Sequence, residues 1–330
     1  MTAAPADAAG ATFLQAYLAP LAPMLAREDV TDVYVNRPFE IWAETLGGKV
    51  ERHAAPNLDA STLDRLARQI ASLSHQGISR EHPLLSASLP DGSRVQVIAP
   101  PATRGPMAIA IRKHVSSDLT LTDYDAAGAF RETRRGEPGA REEDAKLRAL
   151  LDSGDLPRFL SAAVRTRKNI LVSGGTSTGK TTFLNALIRE ISDEERLILI
   201  EDTPELRQHH DNLIGLLAVR GSLGEARVGA TDLLAASLRM RPDRIILGEL
   251  RGEEAYTFLR AINTGHPGSM TSVHADSPER AIEQIALLVL QAGTQLSRED
   301  VRHYVRNTID VFVQLARTGG RRHVAEVLLA

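Results

Sequence analysis

The chain has 330 residues, of which 43% are hydrophobic and 25% charged, a balance typical of globular proteins and enough length for two ordinary domains. The net charge of −3 and the 4% aromatic content leave few phosphate contacts or stacking platforms, so stable nucleic-acid binding is not expected. Zero cysteines exclude disulfides and thiolate metal sites, and no apolar run approaches the ~20 residues that span a bilayer, which leads to the expectation of a cytoplasmic protein whose membrane association is peripheral, through partners.

In chain order, residues 1–12 are rich in Ala and Pro, carry no basic residue ahead of an apolar core, and are expected to be a disordered tail. Residues 13–128 read as a smaller α+β domain. Phe13 to Ala26 is a helical pattern interrupted by Pro20 and Pro23. Strands are expected at Val30–Asn36, Phe39–Glu44 and near Lys49–His53, followed by a helix opened by Asp59 and carried by Leu63, Leu66, Ile70 and Leu73. Leu84–Leu89 and Arg94–Ala99 flank the turn Pro90-Asp91-Gly92-Ser93 as a hairpin, and Ala108–Val115 alternates as a further strand. Arg94 and Arg112 lie on these strands; an arginine there is ordinarily a solvated face residue, and a functional role requires a phosphate nearby.

Residues 129–155 change character. Gly136, Pro138, Gly139 and Gly154 are mixed with the Arg/Glu-rich stretch Arg131–Arg148, which predicts an interdomain linker with one exposed helical stretch at Glu142–Leu151. Such a linker lets the domains reposition, or lets the N-terminal module of one subunit reach a neighbour.

Residues 156–330 carry the chemistry. A helical stripe (Leu156, Phe159, Leu160, Ala163, Val164) leads to the short apolar strand Ile170-Leu171-Val172. Gly174 to Thr181 then matches G-x-x-x-x-G-K-[ST], and Phe183, Leu184, Leu187, Ile188 and Ile191 repeat at helical spacing. Strand, glycine loop and helix is the context of a phosphate-binding loop, in which backbone N–H groups and the helix N-terminus hold phosphate oxygens. Gly174, Gly175, Thr176, Ser177, Thr178, Gly179, Lys180, Thr181 and Thr182 are therefore the expected ATP contacts, with Lys180 on the β- and γ-phosphates and the Thr181 hydroxyl on Mg²⁺.

Three more apolar strands follow, each ending in a polar cluster: Leu197–Ile200 before Glu201-Asp202-Thr203-Pro204-Glu205, Ile245–Leu247 before Gly248-Glu249, and Met270–Val273 before His274. Apolar strands alternating with helices imply a parallel sheet with ligands at the carboxyl ends of its strands. Glu249 is placed to hold Mg²⁺ through water or to orient the attacking water, and Glu205 to share in metal coordination or water positioning. At least one of Glu201, Asp202 and Glu205 is expected to serve the loop alone. His274, at a strand end, suits a sensor of the γ-phosphate. The cluster Arg239-Met240-Arg241-Pro242-Asp243-Arg244 faces a neighbour, a nucleotide or solvent. Val311–Leu315 and Val324–Leu329 around Gly319-Gly320 read as a hairpin closing the sheet edge.

Four stretches together, Gly174–Thr182, Ile200-Glu-Asp-Thr-Pro-Glu-Leu206, Arg239–Gly252, and Asn263–Ser269 with His274-Ala275, resemble the Walker A, Asp, Walker B and His boxes of the VirB-type traffic ATPases of bacterial type IV secretion, within the type II/IV secretion NTPase superfamily. The resemblance covers roughly residues 13–330. It implies a RecA-like P-loop ATPase domain behind the smaller α+β domain. It further implies a homohexameric ring with nucleotide between the two domains, and ATP hydrolysis that serves assembly of, or substrate transfer through, a secretion apparatus. The implied partners are inner-membrane secretion-channel proteins and coupling ATPases. The resemblance also implies that Arg94 and Arg112 reach the γ-phosphate, alongside Glu249, Glu205 and His274 as catalytic residues, with Thr181, Glu205 and Glu249 on the metal. Gly248 stands where other P-loop proteins carry a metal-binding aspartate. Competing readings are a nucleic-acid-stimulated DNA-transfer motor and a nucleotide-gated scaffold with little hydrolysis.

Overall fold

The computed structural model describes residues 13–114, 120–126, 128–131, 133, 142–219 and 224–330; the expected tail at 1–12 and the linker residues 132 and 134–141 lie outside them.

The smaller domain is built on a six-stranded sheet in the order β3-β2-β1-β6-β5-β4, with β1 Val30–Val35, β2 Glu40–Thr45, β3 Val50–Ala54, β4 Leu84–Ser88, β5 Arg94–Ile98 and β6 Ala108–Arg112. Every neighbouring pair in it is antiparallel. Strand alternation divides its side chains between two cores. Val33, Val35, Val95, Val97, Ile109 and Ile111 pack under the helix Ala60–Leu73, while Tyr34, Ala108 and Ala110 face the other way, into the core of the larger domain. The helix begins at Asp59, whose carboxylate accepts the Thr62 N–H at 2.7 Å, and it buries Leu63, Leu66 and Ile70 on one stripe.

The larger domain has a seven-stranded sheet in the order β13-β12-β7-β11-β10-β8-β9. Its strands are β7 Ile170–Gly174, β8 Leu197–Glu201, β9 Leu213–Leu217, β10 Arg244–Leu247, β11 Met270–Val273, β12 Val311–Thr318 and β13 Arg321–Leu329. All neighbours are parallel except β12 and β13, the C-terminal hairpin at one edge. Strands β7, β8 and β10 are buried along their whole length, as a sheet covered on both faces requires. Strand β9, at the opposite edge, is one that the sequence pattern does not announce: Leu213-Ile-Gly-Leu-Leu217 is short and cut by Gly215.

Beyond the core that Tyr34, Ala108 and Ala110 share with the larger domain, polar contacts also join the domains. The loop between β5 and β6 covers the free edge of β9: Thr103 bridges Leu216, the Arg104 N–H donates to the Gly215 carbonyl at 2.8 Å and the Leu217 N–H donates to the Ala102 carbonyl at 2.9 Å. Beside it, the fully buried Arg196 guanidinium donates to Asn36 Oδ1 (2.7 Å), Asn212 Oδ1 (2.5 Å) and the Met240 carbonyl (2.9 Å), and stacks 4.1 Å from the Tyr34 ring. The C-terminal part of the expected linker is a helix, Glu142–Asp152; its Leu147 is buried in the core beneath the phosphate loop, and its Asp144 pairs with Lys168 at 2.5 Å.

Candidate nucleotide-binding site

The carboxyl ends of β7, β8, β10 and β11 converge on one cleft of about 490 Å³. Its lining includes Thr176 to Thr182, Glu201, Asp202, Glu205, Glu249, Arg251, His274 and Arg322. The segment after β7 turns through left-handed backbone at Ser177 (φ 61°) and Gly179 (φ 95°), and the helix Lys180–Ile188 starts directly behind it. Its first-turn N–H groups are thereby directed into the cleft, the arrangement that binds phosphate.

Lys180 lies across this loop. Its ammonium donates to the Gly174 carbonyl at 3.0 Å and stands 3.7 Å from Glu249 Oε1, with the His274 ring nitrogens at 3.3 and 3.4 Å. Burial holds its pKa below the ordinary lysine value, opposed by the Glu249 carboxylate. Glu249 is held from two sides: Oε2 pairs with Arg251, and Oε1 lies 2.8 Å from His274 Nε2. That second contact is off the line of a ring N–H hydrogen bond, so Glu249 Oε1 is a buried oxygen with no aligned donor. It is enclosed between the His274 ring and the Lys180 ammonium.

The acids after β8 separate by role. Glu201 is buried and fully engaged: Oε1 accepts the Glu205 and Leu206 N–H groups at 2.9 and 2.7 Å, and Oε2 accepts Arg104 at 2.9 Å. Burial pushes its carboxyl up, against those N–H groups and Arg104, which favour the charged form. Glu201 is a brace for the loop, while Asp202 is half-buried and Glu205 exposed at the wall of the cleft. The same brace explains Gly248. A Cβ at that position would lie 3.3 Å from Glu201 Cγ and 3.6 Å from the Ile200 carbonyl, so an aspartate there would crowd the held Glu201 side chain.

Arg94 and Arg112 lie elsewhere in the chain. They are directly opposite each other on β5 and β6, both exposed, and they line a cleft of about 630 Å³ with Asp32, Lys113, His114 and Arg241. Neither makes an ion pair within 4.0 Å among the described residues, although Arg112 favours the charged form of buried Asp32. Of the basic cluster Arg239–Arg244, Arg241 faces this same cleft and pairs with Glu44 at 3.0 Å. Arg244 is instead buried in a two-pronged pair with Glu195, at 2.7 and 2.6 Å. His266 is also structural in its contacts, with Nδ1 3.0 Å from the Ala261 carbonyl, outside the lining of the phosphate-loop cleft.

Three arginines of the site escaped sequence reasoning. Arg251, two residues after Glu249, carried a local signal in that spacing. Arg322 donates to the Ser177 carbonyl at 3.1 Å from the C-terminal hairpin, and Arg104 reaches Glu201 from the smaller domain; neither has any signal in the sequence near its partner.

Residues 147–321 match the family described as type II/IV secretion system protein. The chain is 38% identical over 324 residues to the type IV secretion system protein VirB11 of Bartonella quintana, covering 94% of this chain and 91% of that protein. It is 38% identical over 326 residues to the type IV secretion system protein PtlH of Bordetella pertussis, covering 94% and 93%. Among solved structures, the VirB11 ATPase of the Brucella suis type IV secretion system in complex with sulphate superposes with a TM-score of 0.92 at 39% identity, covering 99% of this chain and 97% of that one.

Proposed function

The chain belongs to the type II/IV secretion ATPase family, among its VirB11 and PtlH members, and on that premise we propose that it hydrolyses ATP to drive assembly of, or substrate transfer through, a bacterial type IV secretion apparatus. The observation that carries the enzymatic reading is the convergence of Lys180, Glu249 and His274 on one phosphate-loop cleft.

In this cleft the loop N–H groups and Lys180 bind and orient the triphosphate. Glu249, at the wall of the cleft, is the acid assigned to orient the attacking water, and His274 lies against its Oε1. Arg251 pairs with the other Glu249 oxygen, so the carboxylate is held on both sides. Thr181, Glu249 and Glu205 all line the cleft and would hold a hydrated Mg²⁺ there. Among the described residues no three acidic or imidazole groups form a ready metal site. When bound, Mg²⁺ supplies charge compensation at the β- and γ-phosphates.

Arg94 and Arg112 are assigned to the γ-phosphate of a neighbouring subunit. Two arginines directly opposite on adjacent strands repel each other, an arrangement that favours an anion between them. Their separation from the chain's own phosphate loop supports supply in trans, within a homohexameric ring acting beside inner-membrane channel components and coupling ATPases. Among the described residues no helix is long and apolar enough to cross a membrane, in keeping with a peripheral position there. The test is Mg²⁺-dependent phosphate release: Lys180→Ala abolishes it and Glu249→Gln reduces it strongly. Unchanged turnover in both variants removes the hydrolase reading, and an unchanged native mass on ATP addition, at the monomer value, removes the ring.

A further inference from the structure

Between the two domains the Arg104 side chain of the smaller domain reaches Glu201, which lines the phosphate-loop cleft. Arg104 follows the loop residues that cover β9, and its side chain crosses that strand at Gly215. A Cβ at Gly215 would stand 2.1 Å from Gln208 Nε2, 2.6 Å from Arg104 Cδ and 3.2 Å from its Cγ, so the absence of a side chain there leaves room for both. Beyond β9 the guanidinium Nη1 donates to Glu201 Oε2 at 2.9 Å and to the Leu206 carbonyl at 2.6 Å. Arg104 therefore grips both ends of the loop from Glu201 to Leu206. The other oxygen of the same carboxylate holds the Glu205 and Leu206 N–H groups, and Glu201 Cγ also packs below Gly248, the residue before Glu249.

We propose that Arg104 is a positioning residue through which the seating of the smaller domain on β9 sets the geometry of the acidic loop, and so the rate of hydrolysis. The inference rests on the hydrolase reading for its effect on rate. Its structural half, the bracing of the loop, is independent of that reading. With Arg104 seated, Glu201 is fixed at both oxygens and Asp202 and Glu205 are presented to the cleft at fixed positions. With the smaller domain lifted from β9, Arg104 leaves with it. Glu201 then keeps the loop N–H groups but loses its only side-chain partner among the described residues, and the loop carbonyl at Leu206 loses its donor. A displacement of about 1 Å in a group that positions the reacting atoms is enough to change rate by one or two orders of magnitude. The tie thus makes domain seating a condition for turnover without Arg104 touching nucleotide.

The experiment uses the full chain with Arg104→Gln, Arg104→Lys and Gly215→Ala. Two quantities are read: hydrogen exchange of the Glu205 and Leu206 amides, and steady-state ATP hydrolysis resolved into kcat and KM. Arg104→Gln is expected to speed exchange at both amides and to lower kcat roughly tenfold with KM nearly unchanged, as for a lost positioning contact. Gly215→Ala, whose Cβ crowds the Arg104 stem and also Gln208, is expected to show the same pattern, and adding Gln208→Ala to it is expected to leave that pattern in place. Arg104→Lys, which keeps a cation for Glu201, is expected to recover part of kcat, a rescue that general loosening of the domain contact would not give. Unchanged exchange in Arg104→Gln and Gly215→Ala overturns the brace, and faster exchange with unchanged kcat overturns its role in rate. A wild-type chain that does not hydrolyse ATP counts against the hydrolase reading, and the exchange measurement still decides the brace.

Discussion

Replacing Gly248 by alanine tests whether Glu201 closes the position before Glu249. The added methyl would meet Glu201 Cγ at 3.3 Å and Glu201 Cβ at 3.8 Å. A free side chain would yield a few tenths of an ångström at little cost, but Glu201 is held by the Glu205 N–H at 2.9 Å, the Leu206 N–H at 2.7 Å and Arg104 at 2.9 Å. Yielding therefore stretches hydrogen bonds to a charged group, each worth about 1.5–3 kcal/mol, on top of an overpacking cost that starts near 1 kcal/mol. A partial stretch places Gly248→Ala about 1–2 kcal/mol below wild type, with kcat lowered because Glu249 and the acidic loop both rest on Glu201. The assay is a double-mutant cycle of Gly248→Ala and Glu201→Ala, read by urea unfolding at fixed protein concentration. Removing the Glu201 side chain takes away the obstacle, so the second substitution makes Gly248→Ala nearly harmless, a coupling of about 1 kcal/mol. Additive effects, or a fully stable and active Gly248→Asp, refute the steric reasoning.

Other parts of the molecule yield equally definite outcomes. Arg94→Ala removes one of two like charges directly opposite each other, so unfolding stability is expected to hold or to rise by a few tenths of a kcal/mol, while ATP hydrolysis is lost and ATP binding persists. A matching fall in stability and activity would make Arg94 structural. Arg244→Met leaves Glu195 buried with Arg167 as its one ion-pair partner among the described residues and is expected to cost about 3 kcal/mol, much of it recovered when Glu195 is made Leu as well; a loss below about 1 kcal/mol would contradict it. Thr181→Val keeps the loop backbone but removes the metal-facing hydroxyl, so the Mg²⁺ concentration needed for half-maximal phosphate release should rise. An unchanged Mg²⁺ requirement would remove Thr181 from the metal site.

Local signals made the phosphate loop and the strand-end acids legible. Gly174 to Thr181 needs only its own spacing and the flanking strand and helix, and Glu249 needs only the apolar run before it. Strand alternation placed the smaller domain's sheet, and Asp59 announced its helix because capping is a one-turn interaction. The rest depends on contacts between distant parts of the chain. Glu201, Asp202 and Glu205 are indistinguishable as letters; what separates them is Arg104, 97 positions away, which engages Glu201 and leaves Glu205 exposed. Strand β9 was hidden because Gly215 breaks its apolar run, yet that glycine is what lets Arg104 through. Arg94 and Arg112 could be assigned to one sheet face from alternation. Which cleft that face overlooks is set by how the two domains pack, through Arg196, Asn36 and the cover over β9, and no stretch of sequence encodes that locally.

The composite site is tested most directly by mixing two inactive variants. Lys180→Ala subunits keep intact arginines, and Arg94→Ala/Arg112→Ala subunits keep an intact phosphate loop. In a ring where each cleft is completed by its neighbour, random one-to-one mixing rebuilds a complete site at about a quarter of the interfaces, and phosphate release returns to that fraction of wild type. If the mixture, shown by native mass to have exchanged subunits, stays as inactive as either parent, the arginines do not act across the subunit boundary.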